Sequence, residues 1–533
     1  MKTTAVAVLL LLAAIALPLS AAPSPAPQAK ISRITIRGTD IFDMDLNPKI
    51  RHFPYTTINL LHIKTRDEVI RQELLFSVGD NYDPFLVAET ERNLRALAFI
   101  RAARIAKFPQ RDGTVALVVH VNDAWTTEPQ MNLGGINKVE ETQFGFREKN
   151  ILGLGKEVQF LYSKGKNFTR RNYEYNDPRL LGSRFQLQGL YTDETAGSSR
   201  SVRLERPFYS ADTRFATHGF HERSVFQLND VENNLTVSKF EQTKEVTEAA
   251  AATKIGHSRD VVSHVGLRYL RENRWYARTA ETAPTRPIPV DQKDQTAFLD
   301  FDTGRTNFVE MTHLEKMTRV EDLNLGPFLQ LSPGYSPRAL TGKDSSVVMG
   351  GSFEKRLFVR DTDLFHQKFA YKGRDTFRKG QNETYEVMLK YYRRPSDFHT
   401  TVFHTRIDWG NNLDPDNPVK LGSANGLRAF ESDRFIGSKS LVMNVEDRIY
   451  LIDEAFNLLA VGAAVFADSG YAWPAGRPVA FSKMRSEVGG GLRFGLTRSS
   501  NEVVLRFDIT YRLQSDERDS ARWVFTFGTG QAF

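Results

Sequence analysis

The 533-residue chain contains no cysteine. A chain without cysteine cannot rely on disulfides for stability, and it offers no thiol for lipid attachment. Beyond its N-terminal stretch, the sequence also lacks an apolar run of membrane-spanning length. The longest candidate, Leu458 to Phe466, is far shorter than the about 20 residues that a transmembrane helix needs. The remaining destinations for an exported chain are the periplasm, the medium and the outer membrane.

Motifs that carry catalysis are also missing. The sequence has no Gly-x-Ser-x-Gly elbow, no His-Glu-x-x-His zinc motif and no phosphate-binding glycine loop. Its eleven histidines are scattered without the spacing of metal ligands. The net charge of +7 is small for this length and is spread along the chain. We therefore expect no enzymatic activity, no cofactor, no metal site and no nucleic-acid partner.

The N-terminus has the pattern of an export signal. Lys2 supplies a positive charge, and the apolar stretch from Ala5 to Leu19 is followed by small residues. We expect cleavage within Ser20 to Ala26, with residues 1–22 as the signal peptide. The Pro- and Ala-rich residues 23–30 then form a short linker. The alternative is an uncleaved membrane anchor, for which this apolar stretch is short.

Residues 31–124 combine helix and strand signals. Ile34 and Ile36 fit a short strand, and Thr65 to Glu68 form a capping box in front of an apolar helical face. Asp83-Pro84 then marks the start of a second helix. A hairpin turn and a strictly alternating strand follow it, and the alternating apolar residues are Val115, Leu117, Val119 and Val121. The predicted order is strand, helix, helix, strand, strand.

This order resembles that of a POTRA (polypeptide-transport-associated) domain. The similarity is carried by Glu73 to Pro84, Glu91 to Ile100 and Val119 to Trp125. The resemblance implies a domain that binds extended polypeptide by adding a strand to an exposed sheet edge. The alternative is a rigid spacer or a dock for an accessory periplasmic protein. Only one such domain fits before the next region.

Residues 125–533 predict a transmembrane antiparallel β-barrel. Short stretches alternate, as in the apolar series Val503, Leu505, Phe507, Ile509 and Tyr511. The apolar face fits either the core of a soluble sandwich or the lipid-facing side of a barrel. Sparse helical signals and long charged loops favour the barrel, and the length suits sixteen strands. We expect Ala249 to Thr253 to be a short helical piece in a loop.

Aromatic residues mark the last predicted strand. Trp523, Phe525, Phe527 and Phe533 all fall on odd positions, which predicts a shared face. Phe525, Phe527 and Phe533 resemble the C-terminal signal by which assembly machinery recognises barrel proteins. The alternative is a tail that happens to end in phenylalanine.

The chain as a whole resembles the BamA/TamA-like outer-membrane assembly and translocation superfamily (bacterial surface antigen family). Gly145 to Lys156 looks like its first barrel strand, and Gly426 to Phe430 looks like the Arg-Gly-Phe/Tyr motif of its sixth loop. The resemblance implies that this loop folds into the lumen and that Arg428, beside Phe430, pairs with an acidic residue. The candidate partners are Asp468 and Glu446.

One position departs from the family pattern, because Ala429 stands where the family has glycine. If that position needs a positive φ, alanine is disfavoured there. Independently of the family, an enclosed guanidinium needs a carboxylate to offset its lost hydration. The alternative for Arg428 is an ordinary solvated arginine.

The resemblance implies a bacterial outer-membrane protein with the POTRA domain in the periplasm. Its expected function is insertion or translocation of unfolded outer-membrane or secreted proteins, as a monomeric barrel in outer-membrane lipid. A weak seam between the strand near Thr142 to Gly145 and the last strand would accept the incoming chain. The alternatives are a non-transporting scaffold with one periplasmic partner and a passive channel for small solutes.

Overall fold

The computed structural model describes residues 29–45, 50–132, 141–165, 168–232, 235–285, 287–342, 344–414, 418–500, 503–514 and 520–533. Within these ranges a small α+β unit precedes a large antiparallel barrel, so the predicted mainly-β fold class is confirmed. The predicted signal peptide and most of the predicted linker lie outside the described residues. In the described part, no helix is long and apolar enough to cross a membrane.

The α+β unit consists of β1 (Ile31–Thr39), α1 (Tyr55–Leu61), α2 (Asp67–Glu73), α3 (Pro84–Ala96), β2 (Ile100–Pro109) and β3 (Val115–Asp123). Its sheet has the order β1-β3-β2, with β1 parallel and β2 antiparallel to β3. Leu117 and Val119 of β3 are fully buried beneath the helices, as the alternation predicts. The predicted element order holds, with α1 as an addition. That helix depends on packing, because Tyr55 joins a buried cluster with Ile41 and Phe42.

The two predicted helix starts have different outcomes. Asp83 caps α3 as predicted, since its Oδ1 accepts a hydrogen bond of 2.9 Å from the backbone N–H of Phe85. The predicted capping box at Thr65 is wrong, because α2 begins at Asp67 behind Arg66 without a side-chain cap. The Thr65 hydroxyl instead accepts from Asn150 at 2.9 Å. A tertiary contact thus replaces the local cap.

In the part of the chain that the structure describes, the barrel has twenty strands: β4 (Thr127–Asn132), β5 (Glu141–Glu148), β6 (Glu157–Gly165), β7 (Thr169–Asp177), β8 (Gln186–Glu194), β9 (Gly197–Arg206), β10 (Phe215–Glu232), β11 (Leu235–Ile255), β12 (Val261–Arg278), β13 (Gln292–Arg305), β16 (Phe328–Ser336), β17 (Ser346–Phe358), β18 (Leu364–Asp375), β19 (Gly380–Ser396), β20 (His399–Asn411), β23 (Lys439–Ala455), β24 (Leu459–Trp473), β25 (Arg485–Leu496), β26 (Val504–Arg512) and β27 (Trp523–Thr529). Two separate hairpins are β14 (Phe308–Met311) with β15 (Glu321–Asn324), and β21 (Val419–Leu421) with β22 (Phe435–Gly437). A one-turn helix, α4 (Arg338–Thr341), precedes β17.

The prediction of sixteen strands is therefore wrong. It assumed long connections throughout, whereas tight hairpins such as Glu194 to Gly197 leave room for more strands. The predicted first strand, around Gly145, is the second one, β5. Strand β4 precedes it and pairs with β27 to close the barrel, so the predicted seam shifts by one strand. The sequence of β4, with Pro129 at its centre, lacks an alternating apolar pattern that could reveal it.

The predicted helical piece at Ala249 to Thr253 is also wrong, because these residues lie inside β11. Each of them pairs on both sides; Ala250, for example, is opposite His218 of β10 and Arg268 of β12. Alanine has a high helix propensity, but two full ladders of backbone hydrogen bonds outweigh it. The sheet context therefore decides the conformation.

The barrel has one end that contacts the α+β unit, here called the proximal end, and an opposite distal end. At the proximal end, Arg179 of the β7–β8 turn pairs with Glu73, and Arg259 of the β11–β12 turn pairs with Asp83. The hydroxyl of Tyr55 donates to the carbonyl oxygen of Phe456, across the mouth in the β23–β24 turn. The α+β unit thus lies under the proximal mouth.

Candidate functional site in the barrel lumen

The distal connection between β20 and β23 folds into the barrel. Its hairpin β21–β22 ends in a tip that packs on the inner wall through a buried apolar cluster of Leu421, Leu427, Phe430 and Val442. Gly426 has a φ of +116°, and a Cβ there would approach Val442 Cγ1 to 2.5 Å. Glycine therefore permits the close approach of the tip to β23.

Arg428 lies at this tip with only 4% of its surface exposed. Its Nε and one terminal nitrogen contact the two carboxylate oxygens of Asp468 at 2.7 and 3.2 Å. The other terminal nitrogen donates to Glu446 at 2.8 Å. The guanidinium also stacks 3.6 Å from the centre of the Phe466 ring. Both candidate partners thus bind Arg428, and the alternative of a solvated arginine does not fit this burial.

We call Arg428, Asp468 and Glu446 the latch, and its role in holding the loop stays a prediction. The bidentate contact with Asp468 and the single contact with Glu446 fix the plane of the guanidinium. Because all three groups are buried, none can exchange its partner for water. The geometry is that of a rigid anchor rather than a reactive centre. In the described ranges, no group of His, Asp and Glu side chains could hold a metal ion.

The latch belongs to a larger buried ionic network that the sequence analysis missed. Glu446 also binds Arg448 at 2.9 Å and Arg493 at 3.3 Å, and Arg493 binds Asp508 at 2.6 Å. The alternation of each strand indicates that such residues face inward. It does not indicate which charges of different strands meet, because that depends on the register between strands.

Ala429 fits its position without backbone strain. Among the described residues, it is not one of those with positive φ, so the condition that would disfavour alanine is not met. Its N–H donates to both oxygens of Glu487 at 3.1 and 3.2 Å, and its carbonyl accepts from Arg512 at 3.0 Å. The backbone of Ala429, rather than its side chain, therefore makes the polar contacts.

The three phenylalanines of the predicted C-terminal signal do not share a face. Phe525 and Phe527 are exposed on the outer surface of β27. Phe533 lies beyond the strand, and its ring stacks on His404 with centroids 5.1 Å apart, inside the barrel. The prediction of one shared face is wrong for Phe533, because Gly530 has a φ of +78° and turns the chain. The role of these residues as a signal is still a prediction.

Because Phe527 faces outward and Phe533 lies inside the barrel, we expect their substitutions by alanine to have different effects. Phe527→Ala should slow assembly, because an outward ring is accessible to a receptor before the barrel closes. Phe533→Ala should leave assembly fast and lower the stability of the folded barrel, since its ring packs inside. Pulse-chase assembly and urea unfolding distinguish the two. Slow assembly of Phe533→Ala with normal stability would contradict the division.

The fold and the lumen together define a class of protein. A closed antiparallel barrel with apolar residues outside, charged residues inside and a loop folded into the lumen is the architecture of a bacterial outer-membrane barrel. Residues 411–533, which include the whole latch, match the Omp85 superfamily domain. This match supports the predicted resemblance to the BamA/TamA-like outer-membrane proteins over the C-terminal part of the chain.

Three solved structures resemble the chain at low sequence identity. CdiB from Escherichia coli is 11% identical with a TM-score of 0.46, over 97% of this chain and 93% of that one. CdiB from Acinetobacter baumannii is 11% identical with a TM-score of 0.44, over 94% and 74%. BamA from Haemophilus ducreyi lacking POTRA domains 1–3 is 12% identical with a TM-score of 0.38, over 95% and 85%. No curated protein sequence matches the chain. The fold assignment rests on the strand pairing rather than on these likenesses.

Proposed function

We propose that the protein inserts unfolded polypeptides into the outer membrane or passes them across it. The α+β unit acts as a periplasmic POTRA domain that receives the client, and the barrel provides the site of insertion or passage. The match of residues 411–533 to the Omp85 superfamily domain supports this class of function. The client is an outer-membrane or secreted protein, and the barrel works as a monomer in outer-membrane lipid.

The observation that carries this proposal is the closing strand pair of the barrel. Strand β27 has only seven residues within the described ranges, and its neighbour across the closure is β4. Pro129 in β4 has no N–H to donate to either neighbour. A strand as short as β27 offers few backbone hydrogen bonds to this seam, and an incoming strand could pair with the edges that the seam exposes on opening.

The edge of the α+β sheet supports the client-receiving role. The order β1-β3-β2 leaves β2 at an edge, where Phe108 is about half exposed. An extended chain can pair with such an edge through its backbone, whatever its sequence. The same edge could instead hold one accessory periplasmic protein, which is the alternative function. A passive channel is disfavoured, because the loop that carries Arg428 occupies the lumen.

Photo-crosslinking in cells tests the proposal. A photo-reactive residue at Phe108 or at Gln130 of β4 should crosslink to many newly made outer-membrane or secreted proteins. Val290, exposed in the β12–β13 connection at the distal end, is the matched control and should give no such products. One abundant partner at Phe108 would indicate a docking role instead. No adduct at either position would sink the proposal.

A further inference from the structure

We propose that residues 306–327, the connection between β13 and β16, form a gate at the proximal mouth of the lumen. The α+β unit holds this gate closed. The segment contains the hairpin β14–β15, with its tip at residues 312–320, and is here called the proximal hairpin. The inference concerns access to the lumen and goes beyond the proposed handling of client chains at the seam.

The tip of the proximal hairpin is buried inside the barrel. Leu314 is 2% and Met317 1% exposed. The carbonyl oxygen of His313 accepts hydrogen bonds from the hydroxyls of Thr400 at 2.8 Å and Tyr450 at 2.9 Å. These contacts place the tip in the lumen rather than in solvent.

The tip also reaches across the mouth. Leu314 packs in a cluster with Leu364 of β18 and Val402 of β20. Met317 packs with Ala460 of β24 and Val504 of β26, on a part of the wall several strands further round. Since the hairpin starts from β13 and β16, it bridges from one side of the mouth to another. A chain that entered the lumen from the proximal end would have to displace it.

The base of the proximal hairpin is bound to the α+β unit. Arg95 of α3 contacts Asp322 at 2.8 Å, and Arg104 of β2 contacts Glu310 at 2.7 Å. Arg319 donates to the backbone carbonyl oxygen of Arg95 at 2.8 Å. The hydrogen bond from Arg104 lowers the pKa of Glu310 below its usual 4.5, so this carboxylate is ionised at neutral pH.

The two ion pairs differ in burial, and this difference explains how the gate could move. The Arg95 side chain is buried and contacts both Asp322 and, at 3.0 Å, Glu310, so separating it from these hairpin carboxylates would be costly. The side chains of Arg104 and Glu310 are 57% and 38% exposed and hold each other weakly. A displacement of the α+β unit would therefore break the outer pair and draw the base of the hairpin along through Asp322.

The proximal hairpin is also connected to the latch. Arg448 donates to the carbonyl oxygen of Leu314 and binds Glu446, which in turn binds Arg428. The α+β unit, the proximal hairpin and the distal loop are thus joined by one series of contacts. Displacement of the hairpin removes a partner of Arg448, a residue on which the latch depends.

Single-channel conductance of the full-length protein in planar bilayers tests the gate. Wild-type protein should show small and brief openings. Glu310→Lys with Asp322→Lys should raise the open probability at least tenfold, because both hairpin carboxylates then repel the α+β unit. Adding Arg95→Glu with Arg104→Glu should restore closure. The control Arg179→Glu breaks the ion pair with Glu73, which joins the same two parts of the molecule in the β7–β8 turn, and should conduct like wild type.

A reducible crosslink provides a second measurement, because the chain has no other cysteine. In Arg104→Cys with Glu310→Cys, a thiol-reactive bifunctional reagent with a cleavable disulfide spacer replaces the length of the two side chains; the crosslink should abolish openings, and its reduction should restore them. Equal conductance of the crosslinked and reduced forms would overturn the gate, even if the charge-reversal variant failed to fold. So would a folded Glu310→Lys/Asp322→Lys protein that conducts like wild type. Neither result would affect the crosslinking test of client handling.

Discussion

Arg428→Glu is expected to leave most of the protein outside the folded, membrane-inserted state. The new carboxylate would face Asp468 and Glu446, which lie within 3 Å of the native guanidinium, and Asp508, which lies 3.6 Å from it. Removing one partner of a buried ion pair costs about 3–5 kcal/mol, and reversal of the charge adds repulsion. Because native proteins are stable by only about 5–15 kcal/mol, this loss is a large fraction of the total.

Heat-modifiable mobility on gels of isolated outer membranes measures the folded fraction. Arg477→Glu, at an exposed position in the β24–β25 connection, is the matched control and should fold normally. Arg428→Lys should give an intermediate result, because lysine keeps the charge but cannot bind Asp468 through two nitrogens. Normal assembly of Arg428→Glu would contradict a structural role for the latch.

The two carboxylates around Arg428 set a limit on rescue of this variant. Asp468→Arg in combination with Arg428→Glu should restore only part of the folded protein. The reversed pair restores one contact, while Glu446 still faces the new carboxylate at residue 428. Full rescue would indicate that Glu446 contributes little to holding the loop.

The sequence predicted the latch because its chemistry is local and its constraint is strong. A short loop motif placed Arg428 beside Phe430, and a buried guanidinium requires a carboxylate. The family resemblance then indicated Asp468, the strand directly after the loop offered Glu446, and the structure uses both. The core strand of the α+β unit, β3, was predictable because its apolar residues recur at every second position. This alternation places one face of the strand against the helices.

What the sequence did not predict depends on distant pairing. Strand β4 has no periodic pattern, and the alanines of β11 would suit a helix if their neighbours did not pair with them. The proximal hairpin looks like an ordinary polar connection, because the apolar groups that its tip residues Leu314 and Met317 meet come from six different barrel strands. The inward turn of Phe533 follows from one positive φ at Gly530. None of these features produces a periodic pattern of apolar residues, so the sequence alone does not predict them.

Glu446→Gln is expected to destabilise the barrel more than Asp468→Asn does. Glu446 is fully buried and binds the guanidinium groups of Arg428, Arg448 and Arg493. Its neutralisation leaves Arg448 with the more distant carboxylate of Glu315, at 3.8 Å. We expect a loss of about 3–5 kcal/mol, as for other buried ion pairs deprived of one partner.

Asp468→Asn should cost less, about 1–3 kcal/mol, in the range of a lost hydrogen bond to a charged group. Arg428 would keep its contact with Glu446, and Glu487, the residue directly opposite Asp468 on β25, would keep its bonds to the Ala429 N–H. Urea unfolding of the refolded variants in detergent micelles measures both losses. The control Glu281→Gln removes an exposed pair with Lys239 and should change stability by less than about 1 kcal/mol.

An equal or larger loss in Asp468→Asn would mean that the loop depends mainly on its bidentate contact. A larger loss in Glu446→Gln would mean that stability depends on the carboxylate that three arginines share. In that case the distal loop and the proximal hairpin are both held through Glu446, because Arg448 binds both Glu446 and the Leu314 carbonyl. Release of the hairpin would then weaken the latch, and the two ends of the lumen would open together.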